Sequence, residues 1–396
     1  MGKIFIDVTQ SCRSSNNSGV QVVTRNTFKE IDKVHDLTPI IWDNLTGKYA
    51  HLNKKEKENL LDPFSGSYQA KTRPNKQENP FHKELLSSLL RFRKSISFKS
   101  KPENIDLIFF PEVFRDKRTT LLSKLLHPEF RKAAIFYDAN VLRKPSQTPK
   151  SRIRNFPRYL DFLGNCSAVS CISHESQEAF YKHTENKRKN TQVKVHHLPV
   201  EKPNLKNKEP ICSTPLILFV STLGYNKNHI ALLKAAEKLW NEGLNFQIEL
   251  IGQADSSWTP KVLVVLNQLL KKGRSIKWLH HIDQITLEKK YSSCVFTVYP
   301  SLYEGFGLPI IESLIRGKPC ICGINGALGE VSRDGGCLVI KDQADSNQLA
   351  EAIKRLIIDK HLLQSLSRQA LSRNFGSWKK YASDLMELFL EKNIPS

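Results

Sequence analysis

The chain has no C-x-x-C pair, and its 8 cysteines (12, 166, 171, 212, 294, 320, 322 and 337) are scattered over 396 residues. That spacing excludes a disulfide framework and an ordinary structural zinc site, so reduced core thiols are expected. Cys320 and Cys322 alternate along one strand pattern and are read as core packing. No apolar run approaches the roughly 18 residues of a membrane-spanning helix. No repeat period is present, which excludes a solenoid. Acidic residues are scarce beside basic ones, 39 against 60, for a net charge of +21. They form no D-x-D triplet and no cluster with ligand spacing, so no metal is expected. The opening Met1-Gly-Lys-Ile-Phe-Ile-Asp-Val8 has an acid at residue 7 and no small-residue cleavage site after it. It is expected not to be a secretory signal, and Ile6 stands where myristoylation takes Ser or Thr.

What is present is an ordinary globular composition, 40% apolar, long enough for two domains with separate cores. The charge is uneven. Residues 1–200 hold 35 Lys/Arg against 20 Asp/Glu, and residues 201–396 hold 25 against 19. Such a field attracts nucleic acid, an anionic membrane or a phosphorylated substrate, without choosing among them. Short β-rich runs alternate with helical stretches, the pattern of βαβ units and parallel sheets. Strands are expected at 3–8, 37–43, 105–111, 133–138, 168–172 and 193–198, then at 216–220, 246–251, 276–281, 295–299, 320–322 and 337–340. Residues 44–82 read as an irregular surface excursion. The proline-punctuated, polar stretch 199–210 reads as a linker. Two Rossmann-like, doubly wound α/β domains facing each other across a cleft are therefore expected, 1–200 and 201–376. An amphipathic helix closes the chain at 377–396. Ligands of such domains sit at the carboxyl ends of the strands.

The most informative stretch is Val298-Tyr-Pro-Ser-Leu-Tyr-Glu-Gly-Phe-Gly-Leu-Pro-Ile-Ile-Glu-Ser-Leu-Ile-Arg-Gly-Lys-Pro319. A buried strand runs into a loop that opens a helix, with Pro309 in the first turn, where a missing N–H costs nothing. The glycines let backbone N–H groups approach a ligand, and the helix start favours an anion. Glu304 and Glu312 bracket that helix start, and carboxylates suit the paired hydroxyls of sugars. The plainer alternative is two loop glycines and two surface glutamates.

Tyr303-Glu-Gly-Phe-Gly-Leu-Pro-Ile-Ile-Glu312 resembles the E-x7-E motif of retaining glycosyltransferases of family 4, which have the GT-B architecture. Phe219-Val-Ser-Thr-Leu-Gly-Tyr-Asn-Lys-Asn-His229 is similar to the first strand-loop of their donor domain, and Trp278 to Asp283 with Leu287 and Tyr291 to the base-binding edge. The final helix from Ser377-Trp378 resembles one that crosses back to the first domain in the family. The resemblance implies a nucleotide-sugar donor bound by residues 201–376. Glu312 would hold the ribose hydroxyls and Glu304 those of the transferred sugar. Backbone groups of Gly305, Phe306, Gly307 and Leu308 would face the sugar and diphosphate, and Lys227 would neutralise the diphosphate. Family members carry an arginine five residues before this lysine or directly before it; here those places are Thr222 and Asn226. Arg25 and Arg143 are the candidates to compensate.

In the first half, Ile4 to Arg25 resembles the family's glycine loop, with Gly19 as the candidate contact. An ordinary turn glycine is the alternative. Asp138, after a strand, resembles the acceptor-side aspartate; as an isolated residue it reads as a loop cap. Ser173-His-Glu-Ser176 reads as a helix N-cap. The basic, leucine-rich stretch 83–101 fits either an anionic membrane surface or a core helix with a solvated end.

The resemblance thus implies a retaining, metal-independent hexosyltransferase of the cytoplasm, peripheral to the membrane. Its donor would be a nucleotide-diphosphate sugar, GDP-mannose first, and its acceptor a glycan or lipid-linked oligosaccharide of surface polysaccharide or lipopolysaccharide biosynthesis. No cofactor is expected. The alternatives are a sugar-binding protein without catalysis and, on charge alone, a nucleic-acid-binding protein. The latter has no recognition motif, and no nucleic-acid partner is expected.

Overall fold

The computed structural model describes residues 3–13, 18–62, 95–99, 105–148, 150–186, 190–202, 214–254, 259–280 and 282–391. The chain divides into two compact units, residues 1–198 with 378–396, and residues 199–377. Most of the basic stretch 83–101, the linker beyond residue 202, residues 63–82, Cys212 and His281 lie outside the described residues.

The first unit is built on an eight-stranded sheet. Its strands are β1 (Lys3–Asp7), β2 (Leu37–Asp43), β3 (Lys48–His51), β4 (Ser95–Ile96), β5 (Ile105–Phe110), β6 (Arg131–Phe136), β7 (Ala168–Cys171) and β8 (Gln192–Val195). Their order is β4-β3-β2-β1-β5-β6-β7-β8. The strands from β2 to β8 through β1 run parallel, whereas β3 and β4 add an antiparallel edge beyond β2. This edge corrects the expectation of an irregular segment at 44–82. Residues 44–47 form a tight turn with Gly47 at φ 64°, and Tyr49 then packs on Trp42, ring centroids 5.1 Å apart. A helix, Lys54–Leu61, follows; Asn53 and Glu56 cap it reciprocally, each accepting the other's backbone N–H. Only Leu60 is a buried apolar residue in that helix, which is why its hydrophobic pattern is too thin to read from sequence.

The closing helix, Trp378–Leu390, belongs to the first unit. Its buried residues 378, 381, 382, 385, 386, 388 and 389 follow the helical period and form one apolar stripe. Phe389 packs on Phe109 of β5, and Arg131 of β6 donates to the carbonyl of Leu390.

The second unit holds a six-stranded parallel sheet of β9 (Leu216–Val220), β10 (Gln247–Ile251), β11 (Ile276–Trp278), β12 (Phe296–Tyr299), β13 (Cys320–Gly323) and β14 (Cys337–Ile340), in the order β11-β10-β9-β12-β13-β14. Strand β11 ends three residues before the expected position. The backbone turns at His280, whose φ of 49° breaks the extended run. Cys320 and Cys322 are buried on β13, and no described cysteine forms a disulfide.

In both sheets the chain reverses direction about the first strand of the unit. Consequently β1 lies beside β5, and β9 beside β12. The loops leaving those pairs meet at the carboxyl ends of the strands, the place where open α/β sheets bind ligands.

Candidate functional site

In the second unit, β9 leads through Ser221–Gly224 and a short turn, Tyr225–Lys227, into helix His229–Asn241. Asn228 makes the corner in the left-handed region, φ 58°, and its side-chain amide donates to the carbonyls of Pro300 and Gln343. That corner directs Lys227 toward the loop after β12. Its Nζ lies 2.5 Å from Glu304 Oε1 and 2.8 Å from the Tyr299 hydroxyl. Tyr299 and Ser301 both donate to the same carboxylate oxygen. Lys227 and Glu304 are 16% and 12% exposed, so this is an ion pair largely withdrawn from water. Burial and the neighbouring Glu304 hold the Tyr299 phenol well above its ordinary pKa, which keeps it a donor.

Asn226 does not replace the cation that family members carry there. It ties the two loops together: its carbonyl accepts from Leu302 N at 2.7 Å, and its amide donates to Tyr303 O at 3.3 Å. Thr222 is exposed beside the same loop. In the first unit, the guanidinium of Arg25 is buried and donates to the Ser11 carbonyl, and Arg143 pairs with Glu175.

Gly307 N-caps helix Leu308–Leu314 with φ 112°, a conformation that L side chains avoid, and Pro309 lies in the first turn. Pro309 has no N–H and Ile310 N donates to the Gly307 carbonyl at 3.0 Å, so Leu308 carries the first N–H of the helix without an intrahelical acceptor. Phe306 is buried beneath the turn. Glu312 is one turn in. Tyr291, buried on helix Gln284–Ser293, donates to Glu312 Oε2 at 3.1 Å. Arg316 lies over the Tyr291 ring, 4.5 Å from its centroid, donates to the Glu312 carbonyl, and pairs with Glu288. Burial raises the pKa of the Glu312 carboxyl, while Arg316 and the Tyr291 hydrogen bond oppose that rise. Glu304 and Glu312 are thus held independently, one by the β9–β12 loops and one by a Tyr–Arg–Glu chain.

Residues Tyr299, Ser301, Tyr291 and Arg316 carry these carboxylates without having been singled out for that task from the sequence. Tyr299, Ser301 and Arg316 lie inside the informative stretch, so their place in it was the available signal. His229 is also buried, its ring stacked on Phe219 with centroids 4.3 Å apart, and burial beside Lys227 lowers its pKa to about 3.

In the first unit, Gly19 opens helix Gly19–Ile31 behind a capping box of Ser18 and Gln21, with no positive φ. Asp138 follows β6 and accepts from Asn140 N at 2.8 Å, capping the turn there. Ser173 caps helix His174–Thr184 by accepting from Ser176 N. Two buried acids were not foreseen. Asp7, ending β1, accepts from Tyr49 Oη and Arg118 Nη1, both at 2.7 Å. Glu112, after β5, accepts from Gln10 N at 2.6 Å and Ser11 N at 2.7 Å, pinning the loop that leaves β1. Burial and the nearby Asp7 raise the Glu112 pKa to about 7.

An acid whose pKa is raised by folding binds its proton more tightly in the native state. Its contribution is complete below pH ~4.5 and is lost as pH rises through about 7. We expect unfolding free energy to fall by up to about 3 kcal/mol over that window. Urea unfolding across pH would show a shallower slope in Glu112→Gln; an unchanged slope would remove Glu112 as its source.

Residues 201–373 match the family model of glycosyl transferases group 1. O-antigen chain mannosyltransferase B of Escherichia coli is 26% identical over 65% of this chain and 65% of its own length. The serotype-specific mannosyltransferase WbdA of Escherichia coli is 25% identical over 47% of this chain, and the match spans 22% of that relative. The chain therefore covers less than two thirds of the length of either. Among solved structures, sucrose-phosphate synthase from Thermosynechococcus elongatus superposes with TM-score 0.67 at 18% identity, covering 98% of both chains. HepE of Anabaena, in complex with UDP-glucose, gives TM-score 0.67 at 16% identity over 98% of this chain and 99% of its own. The fold is GT-B, two Rossmann-like domains in one chain. The family match spans most of the second unit and supports a group 1 glycosyltransferase.

Proposed function

We propose that the protein is a retaining hexosyltransferase of glycosyltransferase family 4. It moves mannose from GDP-mannose to a glycan or lipid-linked oligosaccharide in surface polysaccharide biosynthesis, at the cytoplasmic face of a membrane. The observation that carries this reading is the meeting of Lys227 and Glu304 at the β9–β12 crossing, with Glu312 held separately one helical turn away. The mannosyltransferases among its relatives support the choice of sugar.

In this reading Glu312 receives the ribose hydroxyls and Glu304 the hydroxyls of the hexose, with Gly305, Phe306, Gly307 and Leu308 lining the turn between them. Before the donor arrives, Glu304 is the counter-ion of Lys227. A diphosphate supplies two or more negative charges and takes over that role, freeing the carboxylate for sugar hydroxyls. Lys227 and the dipole of the helix start then stabilise charge on the leaving diphosphate. Retention follows from attack on the face that the diphosphate leaves, its oxygen accepting the proton of the acceptor hydroxyl. Asp138 and Gly19 are assigned to the acceptor side and to the donor phosphates, respectively. No cofactor takes part.

A ligand that binds the native state raises stability by RT ln(1 + [L]/Kd), about 2.7 kcal/mol at a hundredfold excess over Kd. A thermal-shift screen of GDP, UDP, dTDP and their sugars should single out one base, and Glu312→Ala should abolish that shift. An equal response to all bases, or a shift that survives Glu312→Ala, would count against the assignment of Glu312 to the nucleotide.

A further inference from the structure

Four donors converge on one oxygen of Glu304. Lys227 Nζ at 2.5 Å, the Tyr299 hydroxyl at 3.0 Å, the Ser301 hydroxyl and the Asn226 amide at 3.4 Å all meet Oε1. Among the described residues none donates to Oε2. The side chain is 12% exposed, and Oε2 is not among the buried polar atoms of the unit. An ionised carboxyl has lone pairs on both oxygens. Here one oxygen is crowded with protein donors and the other is left open.

Tyr299 is placed to hold this asymmetry when a donor arrives. It ends β12, is 3% exposed, and its ring packs edge-on against Phe219, centroids 6.0 Å apart. Phe219 is stacked in turn by the buried ring of His229. The hydroxyl is therefore fixed by a strand and an aromatic stack, which locate a group more tightly than a loop does. It accepts from Lys227 Nζ at 2.8 Å and donates to Glu304 Oε1, so its one proton points at the carboxylate and a lone pair at the ammonium. Lys227 also lies over the ring, 5.3 Å from its centroid. Burial, and after it the charge of Glu304, keeps the phenol protonated. Buried Ser301 donates to the same oxygen from two residues further on. A lysine that turns to a diphosphate thus leaves two hydroxyls on Oε1. Without them little would fix the carboxylate plane, because the terminal torsion of a glutamate is broad.

We propose that Tyr299 is a positioning residue: with Ser301 it pins Glu304 Oε1, so that Oε2 is the oxygen that receives the hydroxyls of the transferred sugar, and it keeps that orientation when Lys227 passes from the carboxylate to the diphosphate. This rests on the assignment of Glu304 to the sugar and of Lys227 to the diphosphate. It adds which oxygen the sugar meets, and that selection for the sugar depends on a side chain that touches neither sugar nor phosphate.

The test is calorimetric titration of the full chain with GDP, GDP-mannose, UDP and UDP-glucose, beside steady-state kinetics of nucleotide release from the donor. Both are run on the native protein, Tyr299→Phe, Ser301→Ala, the double variant and Glu304→Gln. Tyr299→Phe keeps the ring and its packing and removes only the hydroxyl. It should bind the bare nucleotide no more weakly than the native protein does, while its affinity for the nucleotide sugar falls. Its kcat/KM should drop about ten- to a hundredfold, the usual worth of a hydrogen bond to a charged group. The double variant should approach Glu304→Gln, because all three side chains act on one oxygen. A residue that only supports the fold would lower stability without separating nucleotide from nucleotide sugar. Native kinetics in Tyr299→Phe, or nucleotide and nucleotide sugar weakened alike, would overturn the proposal. Ser301→Ala gives the same comparison if Tyr299→Phe does not fold. Failure of the native protein to bind any nucleotide strikes the donor assignment itself, and this inference with it. Nucleotide binding that is intact, with no discrimination lost in either variant, strikes the inference alone.

Discussion

Replacing Lys227 with alanine is expected to lower kcat/KM for glycosyl transfer by about 10²–10³-fold, the usual cost of removing one preorganised group that meets transition-state charge. The loss should fall mainly on kcat, because the charge on the diphosphate grows as the glycosidic bond breaks. The variant also leaves Glu304, 12% exposed, without its cation and with the hydroxyls of Tyr299 and Ser301 and the amide of Asn226 as its neutral donors. A thermal-denaturation control therefore belongs beside the kinetics. Glu304→Gln should be similarly impaired, and the double variant should be little worse than either single, because the two residues act as one unit. Steady-state kinetics on GDP-mannose, or on whichever donor binds, checks this. Wild-type turnover in Lys227→Ala would withdraw the lysine from the chemistry.

The second large effect concerns stability and lies in the first unit. Arg118 and Asp7 are each 1% exposed and 2.7 Å apart, with the Tyr49 hydroxyl on the same carboxylate oxygen. Arg118 is also anchored through Asp116 and lies over the Phe114 ring, 4.6 Å from its centroid. Breaking such a pair from one side strands a buried charge, typically at a cost of 3–5 kcal/mol, or about as much as many domains have to lose. Arg118→Met is expected to cost about that much by urea denaturation. Asp7→Asn/Arg118→Met should recover part of it, because the stranded carboxylate is gone. A loss under about 1 kcal/mol would mean that water reaches the pair and screens it like a surface bridge.

The residues behind these effects differ in how far the sequence reveals them. Glu304 and Glu312 stand out, because ordinary packing seldom requires two glycines and Pro309 at one strand-loop-helix junction, whereas Lys227 stands out only through the family resemblance of its loop. Asp7 and Glu112 do not stand out. A lone acid at the end of an apolar strand carries no sign of whether it faces solvent or a buried arginine 111 residues away. Tyr291 and Arg316 follow the same logic: their spacing to Glu312, 21 residues in one case and 4 in the other, becomes meaningful only once helix Gln284–Ser293 lies against helix Leu308–Leu314.

The sequence by itself determined the alternation of strands and helices, the break near residue 200 and the amphipathic closing helix. All of these follow from local periodicity and from where prolines and glycines interrupt it. It also determined which carboxylates flank the helix start, since their spacing is fixed along the chain. Tertiary structure alone decided which strands are neighbours, and therefore that Lys227 meets Glu304, that Glu112 pins the loop after β1, and that Arg118 meets Asp7. Strand order is set by the burial of whole faces and by crossover connections, not by any short stretch of residues. Charges far apart in sequence are therefore paired, or left unpaired, only when the sheet closes its order.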